Sequence, residues 1–171
     1  LECPLNSYYG GYAATTLGMC QCNPGYTGEN GSCTICPAGK YKAGYGNASC
    51  EDCPANSHST RGSLGVEMCS CNAGATAQND LSCKLCEAGK YKSANGSHAC
   101  SNCTEGSTSN QGSIGVGSCQ CLFGYSSEYS SDGTMVCNAC DTNLYKSEVG
   151  DGQCLECPLN SYYGGYAATT L

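Results

Sequence analysis

The sequence has no tryptophan, one phenylalanine (Phe123) and one arginine (Arg61) in 171 residues, and Leu, Ile and Val add only 17 more large apolar side chains. Burial on that scale cannot offset the entropy of ordering a chain, so a conventional hydrophobic core is excluded. Seven cations against 14 anions leave a net charge of −7. No basic stripe can be assembled from them, which excludes nucleic acid as a partner. No apolar run approaches the ~20 residues that cross a bilayer. The two histidines, His58 and His98, share no sequence neighbourhood, and no recurring His/Asp/Ser or His/Cys arrangement offers nucleophilic chemistry, so no enzyme is expected. An initiator Met and a signal peptide are also missing, as in a mature or partial chain.

Cysteine is what the chain has instead. Nineteen cysteines in 171 residues place it among scaffolds in which crosslinks substitute for a core, and such scaffolds belong to secreted and cell-surface proteins.

Two periods run through the sequence. Residues 1–17, Leu-Glu-Cys-Pro-Leu-Asn-Ser-Tyr-Tyr-Gly-Gly-Tyr-Ala-Ala-Thr-Thr-Leu, recur letter for letter at 155–171, a period of 154. Within it lies a period of about 50, opened by Cys36-Pro-Ala-Gly-Lys-Tyr-Lys, by Cys86-Glu-Ala-Gly-Lys-Tyr-Lys and by the degenerate Cys140-Asp-Thr-Asn-Leu-Tyr-Lys. The chain therefore divides into 1–33 (the closing part of a module), 34–83 and 84–137 (complete modules) and 138–171 (an opening part). Gly, Ser, Asn and Pro throughout predict turns and short hairpins with little or no helix. The best strand candidates are the Gly-Lys-Tyr-Lys segments at 39–42 and 89–92. Linkers of two residues, such as Thr34-Ile35 and Lys84-Leu85, predict modules stacked as an elongated rod or superhelix.

The cysteine order resembles the EGF-like module of ephrin receptors and related ephrin-receptor-like repeats. The likeness is carried by Cys36-Pro-Ala-Gly-Lys-Tyr-Lys, Cys50-Glu-Asp-Cys53-Pro-Ala-Asn-Ser-His-Ser, Gly62-Ser63 and Cys69-Ser-Cys71, and by Cys22-Asn-Pro-Gly-Tyr-Thr-Gly28 before Cys33. The resemblance implies a small disulfide-rich fold of tandem EGF-like modules. Two pairings stay open. EGF-style pairing implies Cys36–Cys53, Cys50–Cys69 and Cys71–Cys83. Sequential pairing, as in tumour-necrosis-factor-receptor modules, implies Cys36–Cys50, Cys53–Cys69 and Cys71–Cys83. Bonds Cys22–Cys33, Cys71–Cys83 and Cys121–Cys137 are common to both. The other half-cystines are Cys3, Cys20, Cys36, Cys50, Cys53, Cys69, Cys86, Cys100, Cys103, Cys119, Cys140, Cys154 and Cys157. Sequential pairing leaves Cys157 over; EGF pairing strands Cys3, Cys20 and Cys154.

Other sites follow from short patterns. Four Asn-x-Ser/Thr sequons begin at Asn30, Asn47, Asn95 and Asn102, making covalent glycan the expected addition. Paired Cys-x-x-Cys motifs also suit a zinc ribbon, but sequons and further Cys-x-Cys pairs favour oxidation, so no zinc is expected. The acidic cluster that precedes calcium-binding EGF modules is absent before Cys36 and Cys86, so no specific calcium is expected either. Tyr8, Tyr9 and Tyr12, repeated as Tyr162, Tyr163 and Tyr166, replace Ser-rich sequence in the other modules and form a candidate contact surface. The first expectation is a structural component of an extracellular fibre or surface filament, with copies of itself or adjacent repeats as partners. The alternative is the spacer or ligand-binding region of an adhesin or receptor ectodomain.

Overall fold

The computed structural model describes residues 2–169. Sulfur dominates its interior: among the described residues the buried apolar set consists of ten half-cystines and three alanines, Ala14, Ala75 and Ala168. The described residues fold as nine two-stranded sheets, and the nine disulfides among them accompany the sheets one for one. No α-helix occurs among the described residues; three short 3-10 turns, Leu17–Met19, Val66–Met68 and Val116–Ser118, punctuate the loops.

One local plan builds every hairpin. The first strand starts four residues after a cysteine, as Lys40–Tyr41 follows Cys36 and Ser57–His58 follows Cys53. The chain turns back to that cysteine's partner, and the second strand begins beside it, as at Glu51–Asp52 and Ser70–Cys71. The step from cysteine to strand is a β-turn. Its third residue has φ between 61° and 82° in all ten copies and is always Gly or Asn: Asn6, Gly25, Gly39, Asn56, Gly74, Gly89, Gly106, Gly124, Asn143 and Asn160. The backbone N–H of the next residue donates to the carbonyl three positions back at 3.0–3.2 Å, as Lys40 does to Pro37. This is type II geometry, which demands a left-handed third residue and so selects Gly or Asn. At Gly25 a Cβ would also lie 2.5 Å from the Gly62 carbonyl oxygen.

The disulfide pairing is sequential. Cys36 bonds Cys50, Cys53 bonds Cys69 and Cys71 bonds Cys83, with the same order in Cys86–Cys100, Cys103–Cys119 and Cys121–Cys137. Cys3–Cys20, Cys22–Cys33 and Cys140–Cys154 continue the rule. The interlaced EGF bonds Cys36–Cys53 and Cys50–Cys69 are not formed. Each bridge closes its own hairpin, so the interlaced scheme would pull neighbouring hairpins out of the backbone register described next.

The chain forms two compact units, one of Leu1–Lys84 with Asn95–His98, the other of Leu85–Ala94 with Ala99–Leu171. In the first, consecutive hairpins are joined through the turn residue. Gly25 donates its N–H to the Lys42 carbonyl at 2.9 Å and accepts from the Cys36 N–H at 2.8 Å; Gly39 does the same with Ser59 and Cys53. Lys40–Tyr41 pairs antiparallel with Glu51–Asp52, and Tyr41 adds a parallel bridge to Ser63. In the second unit Gly89 links Ser109 and Cys103, and Gly124 links Lys146 and Cys140. Bridges Tyr91–Ser113 and Tyr145–Ala168 repeat the one at Tyr41. Backbone groups left over by two-residue strands are thus consumed at the hairpin junctions.

Candidate functional surface

The junctions hold the most unusual chemistry. Lys42, Lys92 and Lys146, the last residues of the three repeated Tyr-Lys dipeptides, are buried, with Lys92 only 1% exposed. Lys42 donates from Nζ to the Gly44 carbonyl at 2.8 Å and to the Cys22 carbonyl at 3.4 Å. Lys146 donates to the carbonyls of Tyr125 at 2.8 Å and Gly150 at 2.5 Å. Desolvation lowers the pKa of all three amines. Gly-Lys-Tyr-Lys predicts a strand and says nothing of a buried lysine; the signal for it is Tyr-Lys, which survives even in the degenerate third copy.

A loop from the following module lies against each Cys-x-Cys hairpin. In the first unit Gly46 donates to the Cys22 carbonyl and Gly96 to the Cys71 carbonyl. The side chains at the two junctions differ. At one, the rings of Tyr8 and Tyr45 lie with centroids 5.2 Å apart and planes tilted by 50°. At the other, His58 Nδ1 is 2.8 Å from Asn72 Oδ1, and His58 Nε2 is 3.5 Å from Asn95 Nδ2. Asn95 also accepts the Ala73 N–H through Oδ1 at 2.8 Å.

That arrangement separates the four sequons. Asn47 is exposed in the loop before Cys50. Asn30 is exposed at the tip of a two-residue turn whose Asn30 and Gly31 have φ of 52° and 76°, joining Tyr26–Glu29 to Ser32–Ile35. Asn102 is exposed on a strand opposite Lys90. Asn95 is exposed as a residue, but its amide is engaged by Ala73 and His58.

The tyrosine segment divides as well. Tyr12 is wholly exposed and Tyr8 51% exposed, and with Tyr9 and Glu2 they line an open cleft of about 390 Å³. In the second copy Tyr162, Tyr163 and Tyr166 are exposed. There the Tyr163 carbonyl accepts the Asn143 N–H at 3.0 Å. Away from these sites, Asp132 accepts from the Ser130 hydroxyl at 2.5 Å and the Thr134 N–H at 3.0 Å. These two donors lower its pKa to about 2. The cysteines of each Cys-x-x-Cys pair belong to different hairpins, and among the described residues only Cys157, the counterpart of Cys3, lies outside a disulfide. No helix among them is long and apolar enough to cross a membrane.

Tandem hairpins, each closed by its own disulfide, define a small cysteine-rich extracellular module array. The family model described as tyrosine-protein kinase ephrin type A/B receptor-like matches residues 25–69 and 127–170, just over half of the chain, and the chain belongs to that family. Human ephrin type-B receptor 6 is 44% identical over 55 residues, covering 31% of this chain and 5% of the receptor. Chicken (Gallus gallus) ephrin type-B receptor 2 is 45% identical over 60 residues, covering 34% and 6%. Human ephrin type-B receptor 4 is 37% identical over 67 residues, covering 38% and 7%. The chain thus spans well under a tenth of the length of the curated relatives it matches. Its disulfides and this kinship make it an extracellular or cell-surface protein.

Proposed function

We propose that the chain is a spacer or ligand-presenting segment of a receptor-type ectodomain, not a component of a self-assembling fibre. The observation that carries this reading is the ephrin-receptor-like match in two separate stretches, 25–69 and 127–170. Physical support comes from the junctions within each unit, where turn residues and the buried Lys42 and Lys146 hold one hairpin against another. Such contacts suit a spacer, because a residue presented on one hairpin is held by its neighbours without a large core. No catalytic role and no metal are proposed, and partners are sought among cell-surface ligands. Glycan is proposed at Asn47 and Asn30, whose side chains stand in solvent. Asn95 and Asn102 are weaker acceptors, the first held by Ala73 and the second lying on a paired strand beside Cys103.

Sedimentation of the oxidised chain over a wide concentration range tests the choice between the two readings. One monomeric boundary throughout is the expected result. Open-ended polymers growing with concentration would overturn the receptor-type reading and restore the fibre.

A further inference from the structure

All nine disulfides are local, joining cysteines 11–17 residues apart. None connects one hairpin to another, so among the described residues the covalent link between hairpins is the backbone. At one junction, however, two oxidisable rings meet. Tyr8 belongs to the hairpin closed by Cys3–Cys20 and Tyr45 to the loop of the hairpin closed by Cys36–Cys50; a third hairpin, Cys22–Cys33, lies between them in sequence. Their ring centroids are 5.2 Å apart, and the residues are 51% and 60% exposed. At that separation and tilt the ring edges are in van der Waals contact.

We propose that Tyr8 and Tyr45 are a dityrosine cross-linking site, coupled by peroxide through a one-electron oxidant such as a haem peroxidase. Each phenol gives up one electron and its hydroxyl proton to form a phenoxyl radical, with spin density on the ring carbons ortho to oxygen. The two radicals join through an ortho–ortho C–C bond. The two ortho hydrogens then move to the oxygens as the rings regain aromaticity. The product has lost two hydrogen atoms in all, and one peroxide is reduced to two waters.

Three features single out this pair. Coupling needs two radicals held together, and a preformed ring contact raises their effective concentration over any encounter between molecules. Tyr8–Tyr45 is the close ring pair among the described residues, whereas Tyr12, Tyr129 and Tyr166 are exposed. Tyr41, by contrast, has its hydroxyl bound to Glu51 Oε2 at 2.9 Å. The equivalent junction uses His58 and Asn95, which cannot couple in this way, so the site is particular to one junction of the repeat. A bond here would give the chain a hairpin-to-hairpin staple that reductants do not open.

The experiment treats the full oxidised chain at low concentration with peroxide and peroxidase, then digests it under reducing conditions for mass spectrometry. The expected result is a monomeric product lighter by two hydrogens, with dityrosine fluorescence and a linked peptide pair containing Tyr8 and Tyr45. In Tyr45→Phe this peptide pair falls to background, while in Tyr12→Phe its yield is unchanged. Intact mass under non-reducing conditions confirms that both variants retain the full set of disulfides. The proposal is overturned if the linkage maps only to other tyrosines or only between molecules, or if its yield survives in Tyr45→Phe.

Discussion

The same seventeen letters stand at 1–17 and 155–171, and their described residues meet different neighbours. Both make the same turn: Asn6 and Asn160 have φ of 63° and 65°, and Ser7 and Ser161 each donate a hydroxyl to the Pro4 or Pro158 carbonyl at 2.6 Å. Beyond the turn they part. Ser7–Tyr8 pairs with Gln21–Cys22, for which these 171 residues hold no second counterpart, and the second copy lies along the hairpin 140–154, which the first copy has no counterpart of in the same residues, with Ala167 donating to the Cys140 carbonyl and Ala168 accepting from the Lys146 N–H at 3.1 Å. Ala167 there takes φ of 58°, while Ala13, its counterpart, is not left-handed. The turn is written in the local sequence; the left-handed alanine is imposed by the neighbour.

Breaking that comparison at its covalent end has the largest effect. The paired substitution Cys3→Ser with Cys20→Ser removes a loop constraint worth about 3 kcal/mol in the chain-entropy model. Amide exchange is expected to show the pairing of Ser7 and Tyr8 lost while the Pro4–Ser7 turn persists. Next, Lys146→Met leaves the Tyr125 and Gly150 carbonyls without their donor, at a cost of about 1–3 kcal/mol. Denaturant titration measures it, and exchange at Ala167 and Lys146 should rise with it.

A finer contrast comes from one substitution made twice. Ala167→Gly relieves a left-handed alanine and is expected to stabilise by about 1 kcal/mol. Ala13→Gly loosens only the unfolded chain and is expected to destabilise by about 0.4–1 kcal/mol. Opposite signs in thermal melts confirm the comparison; equal signs break it. The smallest effect is confined to the hairpin tip at 130–134. Asp132 holds its proton less tightly folded than unfolded, so its contribution is complete above about 3.8 and disappears as pH falls through about 2. Protection of the Thr134 amide should follow that window, with the rest of the chain unmoved.

Much of the fold was legible because cysteine spacing is covalent information. The count of 19, the two periods and the strands in Gly-Lys-Tyr-Lys all follow from residues read in order. A finer unit escaped, although Cys-x-x-Gly/Asn occurs twelve times, ten of them at these turns, because alignment on a 50-residue module hides a repeat three times shorter within it. The buried lysines escaped for a different reason: lysine is rarely fully buried, and only the carbonyls gathered around Nζ make the position intelligible. The meeting of Tyr8 with Tyr45 and of His58 with Asn95 depends on how one hairpin lies against another, which no window of sequence contains. The tyrosine segment was legible as unusual, and its two different settings were not.

Because each bonded cysteine pairs with its neighbour in sequence, oxidation can proceed in the order of synthesis. Each bridge needs only a short loop to close, on the order of 10–100 ns for about ten residues, and a newly exported hairpin can lock before the next cysteine appears. The combinatorial problem that six cysteines pose when their pairings interlace never arises. It also means that units can be gained or lost by recombination without leaving any sulfur in the wrong register, and a perfect 17-residue echo at a distance of 154 is the kind of scar such an expansion leaves.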